Sequence, residues 1–551
     1  MYALVFDGLP RFVEKKKGLS PDTTRVFGAT LYADEVVRAF LRYGTADSYR
    51  FLDRGVNRGL GAWVVAPDGS STEVLGLHSV DQITDAAELV LFSFRATPQD
   101  LVPVRRYFRR PWPIVGVIHA MSDVVASDLA WESLADELKP FDAIVCSSQA
   151  GRTVFHKLAT QAQESLRVSG RVPMSLGVQT PVIPLGVDCD SFRFSREEAR
   201  AQLAIGRQTP VVLCFGRLTP HAKADLGPLL LGWCRLVKEI SGGALLIIAG
   251  DDTRHSMAGD LERYVGFLGC SDSVRVIPDI DARAKRVLFA AADIFVAPSD
   301  HVQETFGISV IEALASGLPV VAADWSGFRE IVDDGETGYL VPTQWLNLSG
   351  GLELAGTCYG FESRNTVLAG MTIIDHEVLM CRLHDLLFAP KLRTELGRRA
   401  RETARSRFDW RVVIPQYEGL FRALLASRSR RAWESPATPF TYDVQDVFGH
   451  YPTGVLAGSA SLEVSGLGRA WLASPFPLST LDDFRIEESV VEDVLRQVLA
   501  APRDATVKRV SDRLLARFGQ IVGGWLVSRL IKYGLLRVTG GAGSDSAVAG
   551  S

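Results

Sequence analysis

Short apolar runs, each followed by an amphipathic stretch, constrain this chain more than any other feature. Leu89–Phe94, Pro113–Ile118 and Ala143–Cys146 are four to six residues long and almost wholly apolar. Runs of that length and uniformity fit strands buried on both faces, as in a parallel sheet. Helical spacing from Tyr32 to Tyr43 precedes them. A second series follows: Val211–Phe215 ending at Gly216, Ala244–Ala249 ending at Gly250, then Val274–Ile277, Ile294–Ala297 and Val320–Ala323. A helix is expected over Leu226–Ile240, with others between the remaining strands. Alternating strands and helices imply an α/β architecture with two Rossmann-like domains. Ligands of such sheets bind beyond the carboxyl ends of the strands, so two consecutive units imply a cleft. Helical patterns from Pro390 to Ala404 and from Val412 to Leu425 close this region.

With 551 residues, the chain is too long for one core and predicts three to four domains at roughly 100–200 residues each. Sequence texture divides it into an N-terminal Rossmann-like domain (1–185), a C-terminal Rossmann-like domain (186–400) and closing helices (401–427). A linker or irregular segment follows (428–480), then a helical module (481–540) and a flexible tail (541–551). The module rests on three apolar stripes. The first is Ile486, Val490, Val491, Val494, Leu495 and Val498, and the second Val507, Val510, Leu514 and Phe518. The third is Trp525, Leu526, Leu530 and Tyr533. Each stripe has helical period. With a short strand at Leu535–Val538 they fit a small, mainly helical, winged-helix-like C-terminal domain. Segment 440–480 is rich in Gly, Ser and turn residues and takes no assignment.

Lys+Arg is 60 against Asp+Glu 64, a net charge of −4, so no global field favours nucleic acid or an anionic membrane. The seven cysteines, Cys146, Cys189, Cys214, Cys234, Cys270, Cys358 and Cys381, are odd in number and show no CxxC spacing. They read as reduced intracellular thiols, with neither a disulfide framework nor a zinc site. The first residues lack the apolar core of a signal peptide, and no uncharged apolar stretch approaches the ~18–20 residues of a membrane span. A cytoplasmic location is expected, with peripheral contact at the inner membrane face as an addition.

Chemistry concentrates in residues 303–342. Glu304 and Glu312 stand eight apart, in a stretch that predicts a helix over Thr305–Ser316, ended by Gly317 and Pro319. Eight helical residues rise ~12 Å, too far for a proton-sharing pair but suited to gripping two ends of an elongated ligand. At the helix entrance, the N–H groups of Phe306 and Gly307 are suited to a phosphate. A carboxylate beside a phosphate repels it, unless that carboxylate binds ligand hydroxyls. A sugar nucleotide offers both. Upstream, Phe215-Gly216-Arg217-Leu218 ends a strand and Lys223 follows. Gly216 permits close backbone approach, and two cations there suit a diphosphate. Taken singly, Arg217 and Lys223 fit solvated surface charges equally well, and Glu312 fits an ordinary helix carboxylate.

The sequence resembles the family 4 retaining glycosyltransferases, which have the GT-B fold of two Rossmann domains. The resemblance rests on IPLGVD at 183–188, FGRL at 215–218 with Lys223, AGDD at 249–252 and AADIFVAPS at 291–299. It extends through QETFGISVIEALASGLPVVA at 303–322, the E-x7-E element, and GETGYLV at 335–341. It implies that Arg217 and Lys223 neutralise the donor diphosphate, that Glu304 contacts the donor sugar and that Glu312 hydrogen-bonds the ribose. Phe306, Gly307 and Ile308 would offer N–H groups near the phosphates. His119, ending the strand PIVGVIH, matches an acceptor-side histidine that faces the sugar; a hydrogen-bonded histidine with no chemical role is the plainer alternative. The family's glycine-rich N-terminal loop has its nearest counterpart in Phe27-Gly28-Ala29-Thr30. Of these only Gly28 tolerates positive φ without penalty, a departure from the adjacent glycines of the family.

The implied reaction is transfer from a nucleotide-sugar donor to an acceptor that is a glycan, lipid-linked, a protein or a small molecule. No cofactor and no metal are expected, since Asp279-Ile280-Asp281 is a DxD without evident companions. Arg105 to Trp112 forms a basic aromatic run that suits an anionic lipid carrier, a membrane surface or a polyanionic acceptor or, more simply, a solvated helix face with its aromatics in the core. The 481–540 module suits a protein partner or self-association better than nucleic acid. In the same fold, a phosphorylase would need a pyridoxal-phosphate lysine motif, and a hydrolysing epimerase would lack this E-x7-E context. The reading from a different class is a nucleotide-sugar-binding scaffold whose C-terminal module recognises a protein partner.

Overall fold

The apolar runs of both series become strands in the computed structural model of the chain. It describes residues 2–7, 28–53, 63–65, 71–76, 88–93, 101–118, 138–170, 177–219, 223–240, 243–253, 256–345, 369, 372–428, 456–476, 488–518 and 520–539. Two compact units result. One comprises Met1–Leu9, Ala46–Leu89 and Thr438–Ser551; the other comprises Pro10–Thr45 and Val90–Ala437.

The first unit begins with β1 (Ala3–Asp7), β2 (Ser48–Asp53), β3 (Trp63–Val65) and β4 (Ser71–Gly76). β1 runs parallel to β2 and β2 to β4, while β3 is antiparallel to β4. Phe6 stacks on Phe51 with centroids 5.2 Å apart. The sequences SYRFLD and STEVLG mix polar and apolar residues, which hid these strands from the run-based reading.

The second unit carries the motifs. Its first half has α1 (Gly28–Tyr43), β5 (Leu89–Ser93), α2 (Val102–Phe108), β6 (Ile114–Ile118), β7 (Ala143–Cys146) and α3 (Gln149–Val168). β5, β6 and β7 are parallel and buried throughout. After α4 (Arg196–Gln202) come β8 (Val211–Phe215), α5 (Gly227–Leu236), β9 (Leu245–Gly250), α6 (Ala258–Leu268), β10 (Val274–Pro278), α7 (Ala282–Ala291) and β11 (Ile294–Ala297). α8 (Ile308–Ser316), β12 (Val320–Ala323), α9 (Phe328–Ile331) and β13 (Gly338–Val341) complete the series. The six strands form one parallel sheet in the order β10-β9-β8-β11-β12-β13. Strand order reverses between β8 and β11. At such a switch point the connections leave in opposite directions and open a crevice at the carboxyl ends. Gly216 and Arg217 follow β8, and the loop to Glu304 follows β11.

Leu246, Ile248, Trp233, Leu383 and Leu386 are fully buried on one face of this sheet, each contributing roughly 1.5–3 kcal/mol. The short antiparallel pair β14 (Thr343–Trp345) and β15 (Thr372–Ile374) leads into α10 (His376–Phe388), α11 (Pro390–Thr403) and α12 (Trp410–Ser427). α12 returns to the first half. Tyr417 and Phe421 pack on Phe40 and Phe92 with centroids 5.7–5.9 Å apart, and Glu418 accepts hydrogen bonds from the Thr45 N–H and hydroxyl.

The C-terminal part of the first unit has β16 (Ser461–Val464), α13 (Gly466–Ala473), α14 (Glu488–Ala500), α15 (Val507–Phe518), α16 (Gln520–Lys532) and β17 (Leu536–Thr539). Val491, Val494, Leu495, Leu514 and Leu530 are buried together with Trp471, as the helical stripes require. β16 pairs antiparallel with β17. β16 and α13 fall in the segment read as unassigned: SLEV is too short to show its alternation, and Ser465 caps α13 by accepting from Gly468 N–H at 2.9 Å. Residues 429–455 and 477–487 and the tail 541–551 lie outside the described residues.

Two expectations need correction. The thiols are not all reduced, because Cys234 and Cys270 are joined with Cα atoms 5.6 Å apart. α5 and the turn after α6 bring together residues 36 positions apart, which no CxxC spacing announces. In the basic run, one arginine departs from the solvated face expected of it. Arg105 is fully buried and grips both oxygens of Asp142 at 2.7 Å, whereas Phe108 and the buried Trp112 pack at 5.0 Å, as expected of the run's aromatics. No described helix is long and apolar enough to cross a membrane.

Candidate active site

Gly216 is the first residue beyond β8. A β-carbon there would lie 2.9 Å from Lys223 Cε and 3.2 Å from its Cγ. The missing side chain lets the Lys223 stem cross the strand end. Gly216, Arg217, Lys223, Ser299, Ser309 and Phe328 line one narrow hollow of about 30 Å³, room for about one water molecule. A wider hollow of about 680 Å³ runs along α3 beside Arg152 and His156 and contains none of these residues.

The helix expected over Thr305–Ser316 starts later, at Ile308. Gly307 holds φ +118°, outside the helical region, and a β-carbon on it would meet Phe328 Cε1 at 2.4 Å. Only glycine fits this break. The first intrahelical bonds run from Val310 and Ile311 N–H to the Gly307 carbonyl at 3.0 and 3.3 Å. Phe306, Gly307 and Ile308 therefore stand at the positive end of α8, ahead of those bonds. Gly28 is the first residue of α1. His119 lies outside the described residues.

Glu304 and Glu312 do not share one helix. Glu304 precedes α8 and forms an ion pair with Lys223. Glu312 is buried on α8 and pairs with Lys285 of α7. Burial pushes the Glu312 carboxyl above its ordinary value, and the Lys285 ammonium, then Lys223, act against that rise.

The loop after β11 is tied to the loop carrying Lys223. Ser299 Oγ donates to the Lys223 carbonyl at 3.1 Å, and Asp225 N–H donates to Asp300 Oδ2 at 3.2 Å. Asp300 is 5 % exposed, and its Oδ1 has no hydrogen-bond partner among the described residues. Burial lifts its carboxyl to about 7; the Asp225 N–H opposes this and the Asp225 charge adds to it. The buried His301 accepts from Gln303 N–H through Nδ1 at 3.1 Å. Its carbonyl takes the Glu304 N–H and the Trp325 indole N–H. From the first half, the Ser148 hydroxyl donates to the Thr305 carbonyl at 2.5 Å. The carboxylate of Glu330 caps α3 by accepting from Gln149 and Ala150 N–H at 2.8 and 2.9 Å.

Sequence reasoning missed Lys285, Asp300 and Glu35. The Glu35 side chain on α1 is exposed on its outer edge. Loss of hydration, then the like charge of Glu312, lifts its carboxyl to about 7 against the pull of Lys285. Nothing in the pattern of an amphipathic helix distinguishes such a glutamate. The DxD aspartates serve the backbone: Asp281 caps α7 by accepting from Arg283 and Ala284 N–H, and Asp279 accepts from Asp252 N–H. Among the described residues no cluster of His, Cys, Asp or Glu is placed to hold a metal ion.

The fold is that of the GT-B glycosyltransferases. Sucrose-phosphate synthase from Thermosynechococcus elongatus aligns with a TM-score of 0.50 at 17% identity, over 78% of this chain and 100% of that one. A glycosyltransferase from Rickettsia africae aligns with a TM-score of 0.50 at 14% identity, over 77% and 99%. Residues 195–362 match the family described as Glycosyl transferases group 1. A D-inositol 3-phosphate glycosyltransferase of Geodermatophilus obscurus is 29% identical over 238 residues, 42% of this chain and 50% of that protein. A phosphatidyl-myo-inositol mannosyltransferase of Mycobacterium tuberculosis is 34% identical over 202 residues, 34% of this chain and 49% of that protein. The chain thus spans about half the length of the curated relatives it matches.

Proposed function

We propose that the protein is a retaining glycosyltransferase of family 4 that moves a sugar from a nucleotide-sugar donor to an acceptor hydroxyl without a metal. The observation that carries this reading is the convergence at the β8/β11 switch point. There Lys223 pairs with Glu304, a carboxylate suited to sugar hydroxyls, and Arg217 and Lys223 line one hollow with Ser309 of α8. In the proposed reaction the bond between the anomeric carbon and the diphosphate oxygen breaks, and a bond to the acceptor oxygen forms on the same face. The acceptor proton passes to the departing diphosphate. Arg217, Lys223 and the backbone N–H groups of Phe306, Gly307 and Ile308 stabilise the charge that develops. Glu312 holds the ribose. Gly28, opening α1, and His119 belong to the donor phosphate and the acceptor side, respectively.

No cofactor beyond the donor substrate enters this scheme. Residues 481–540 are assigned to a protein partner or self-association, and the enzyme to the cytoplasm, with peripheral contact at the inner membrane face. Because both curated relatives carry inositol in their names, myo-inositol phosphate and phosphatidylinositol head the acceptor panel.

The test is a panel of UDP-, GDP-, ADP- and dTDP-sugars scored by donor hydrolysis and thermal shift, then by transfer to those acceptors. Glu304→Ala, and Arg217→Ala with Lys223→Ala, are expected to abolish turnover of the cognate donor in protein that stays folded. Surviving turnover would refute the site. Silence of the wild type with every donor, without binding, would favour a scaffold.

A further inference from the structure

Lys285 is one of the two lysines bound to the E-x7-E carboxylates, and no motif accounts for it. Asp281 starts α7 by capping its first turn, which puts Lys285 on the second turn, facing β8. Its ammonium lies 5.4 Å from the centroid of the Phe215 ring. That ring is held by Phe289, with centroids 5.4 Å apart. The same ammonium pairs with Glu312, and the two side chains are 20 % and 4 % exposed. A lysine fixed between an aromatic face and a buried carboxylate is not a solvated surface charge.

We propose that Lys285 is a positioning residue of the donor site: its pairing holds Glu312 ionised and oriented, so that this carboxylate accepts hydrogen bonds from the donor ribose. The proposal rests on the ribose role given to Glu312 above. Its physical basis is the cost of a buried carboxylate. Without a cation, such a group takes up a proton and half its accepting capacity is lost. Lys285 is the principal opponent of that protonation, with Lys223 a weaker one. Lys285 also acts on Glu35, a carboxyl that three further charges influence besides Glu312 and that burial and Glu312 raise. The lysine of α7 and Arg286 beside it lower the Glu35 carboxyl, and Asp188 ahead of α4 raises it. Glu312 acts on Glu35 as a like charge and Lys285 acts on both, so removing Lys285 takes away the ammonium that serves both carboxylates.

The sign of the effect follows. Loss of the ammonium raises the Glu312 pKa further, so Glu312 is neutral at mildly acidic pH and ionises only as the pH climbs. An ionised carboxylate bonded to a ribose hydroxyl discriminates against a deoxyribose, by about tenfold or more for a charge-assisted hydrogen bond.

The experiment is calorimetric binding of UDP and 2′-deoxy-UDP, and of the corresponding GDP and ADP pairs, to the full-length chain at about pH 6 and about pH 8.5. Wild type and K285R are expected to prefer the ribonucleotide at both pH values. K285M is expected to lose that preference by about tenfold at the lower pH and to recover it at the higher. Merely structural damage would not recover with pH. If K285M does not fold, K285Q carries the same comparison. A variant whose ribose preference equals that of the wild type at both pH values overturns the assignment of Lys285 alone. Failure of the wild type to bind any nucleoside diphosphate overturns the proposed function itself, and this assignment with it.

Discussion

Replacing Asp300 with asparagine isolates the electrostatic cost of a carboxyl group in the loop between β11 and Glu304. The folded protein holds this carboxyl at about 7, against 3.8 for an ordinary aspartate, a rise of about 3 units. At about 1.4 kcal/mol per unit, the native state gives up about 4 kcal/mol by carrying the ionised form. Below about pH 4 both folded and unfolded chains hold the proton, and no penalty applies. Between about pH 4 and about pH 7 the unfolded chain releases its proton first, so stability falls as the pH rises. Above that window both states are ionised and the penalty is constant. Asparagine has no proton to lose, and its amide oxygen still accepts from Asp225 N–H. D300N should therefore gain on the wild type by up to about 4 kcal/mol between about pH 4.5 and about pH 8. Urea unfolding of both proteins across this range, followed by tryptophan fluorescence, reads the difference. Parallel pH profiles would refute the reasoning, because they would mean that the Asp300 carboxyl ionises equally easily in folded and unfolded chains.

Gly307→Ala places a β-carbon on a residue at φ +118° against Phe328. It should cost about 1–3 kcal/mol of stability and weaken binding of nucleoside diphosphates, read by urea unfolding and calorimetry. Asp142→Ala leaves the Arg105 guanidinium and the Ile114 and Lys139 N–H groups buried without their acceptor and should destabilise by about 3–5 kcal/mol, read by urea unfolding. Peptide mapping without reductant should yield a Cys234–Cys270 linked pair. Cys234→Ala should lower stability by about 4 kcal/mol on the chain-entropy account of a 36-residue loop.

Much of the second unit is legible because parallel strands buried on both faces leave unbroken apolar runs. Val211–Phe215 and Ile294–Ala297 therefore announce themselves, and their order supplies the switch point. The two glutamates are legible as a spacing, but their helix begins three residues later than the pattern suggests. The deciding quantity is the φ of Gly307, set by the Phe328 ring more than twenty positions away. Lys285, Asp300 and Glu35 carry ordinary polar identities. Their significance comes from what the fold places opposite them, which local spacing does not encode. Arg105 misleads for the same reason: its partner Asp142 is 37 positions distant. β16 is hidden because its partner strand lies at the far end of the module, from Leu536 to Thr539.

Gly216 has a consequence for how mutational data on this protein are interpreted. Its lack of a β-carbon provides the path along which Lys223 reaches Glu304, so positions 216, 223 and 304 behave as one unit. A scan that changes residues singly would attribute to Gly216 a cost that lies in displacing the Lys223 stem, 2.9 Å from the space it leaves. Paired with a shorter cation at 223, such as Lys223→His, the same glycine replacement should be tolerated better than the sum of the two changes implies, because neighbours that share one space do not add. Sequence variation at the end of β8 is thus a record of geometry at Glu304, and substitutions at 216 are best compared within backgrounds that differ at 223.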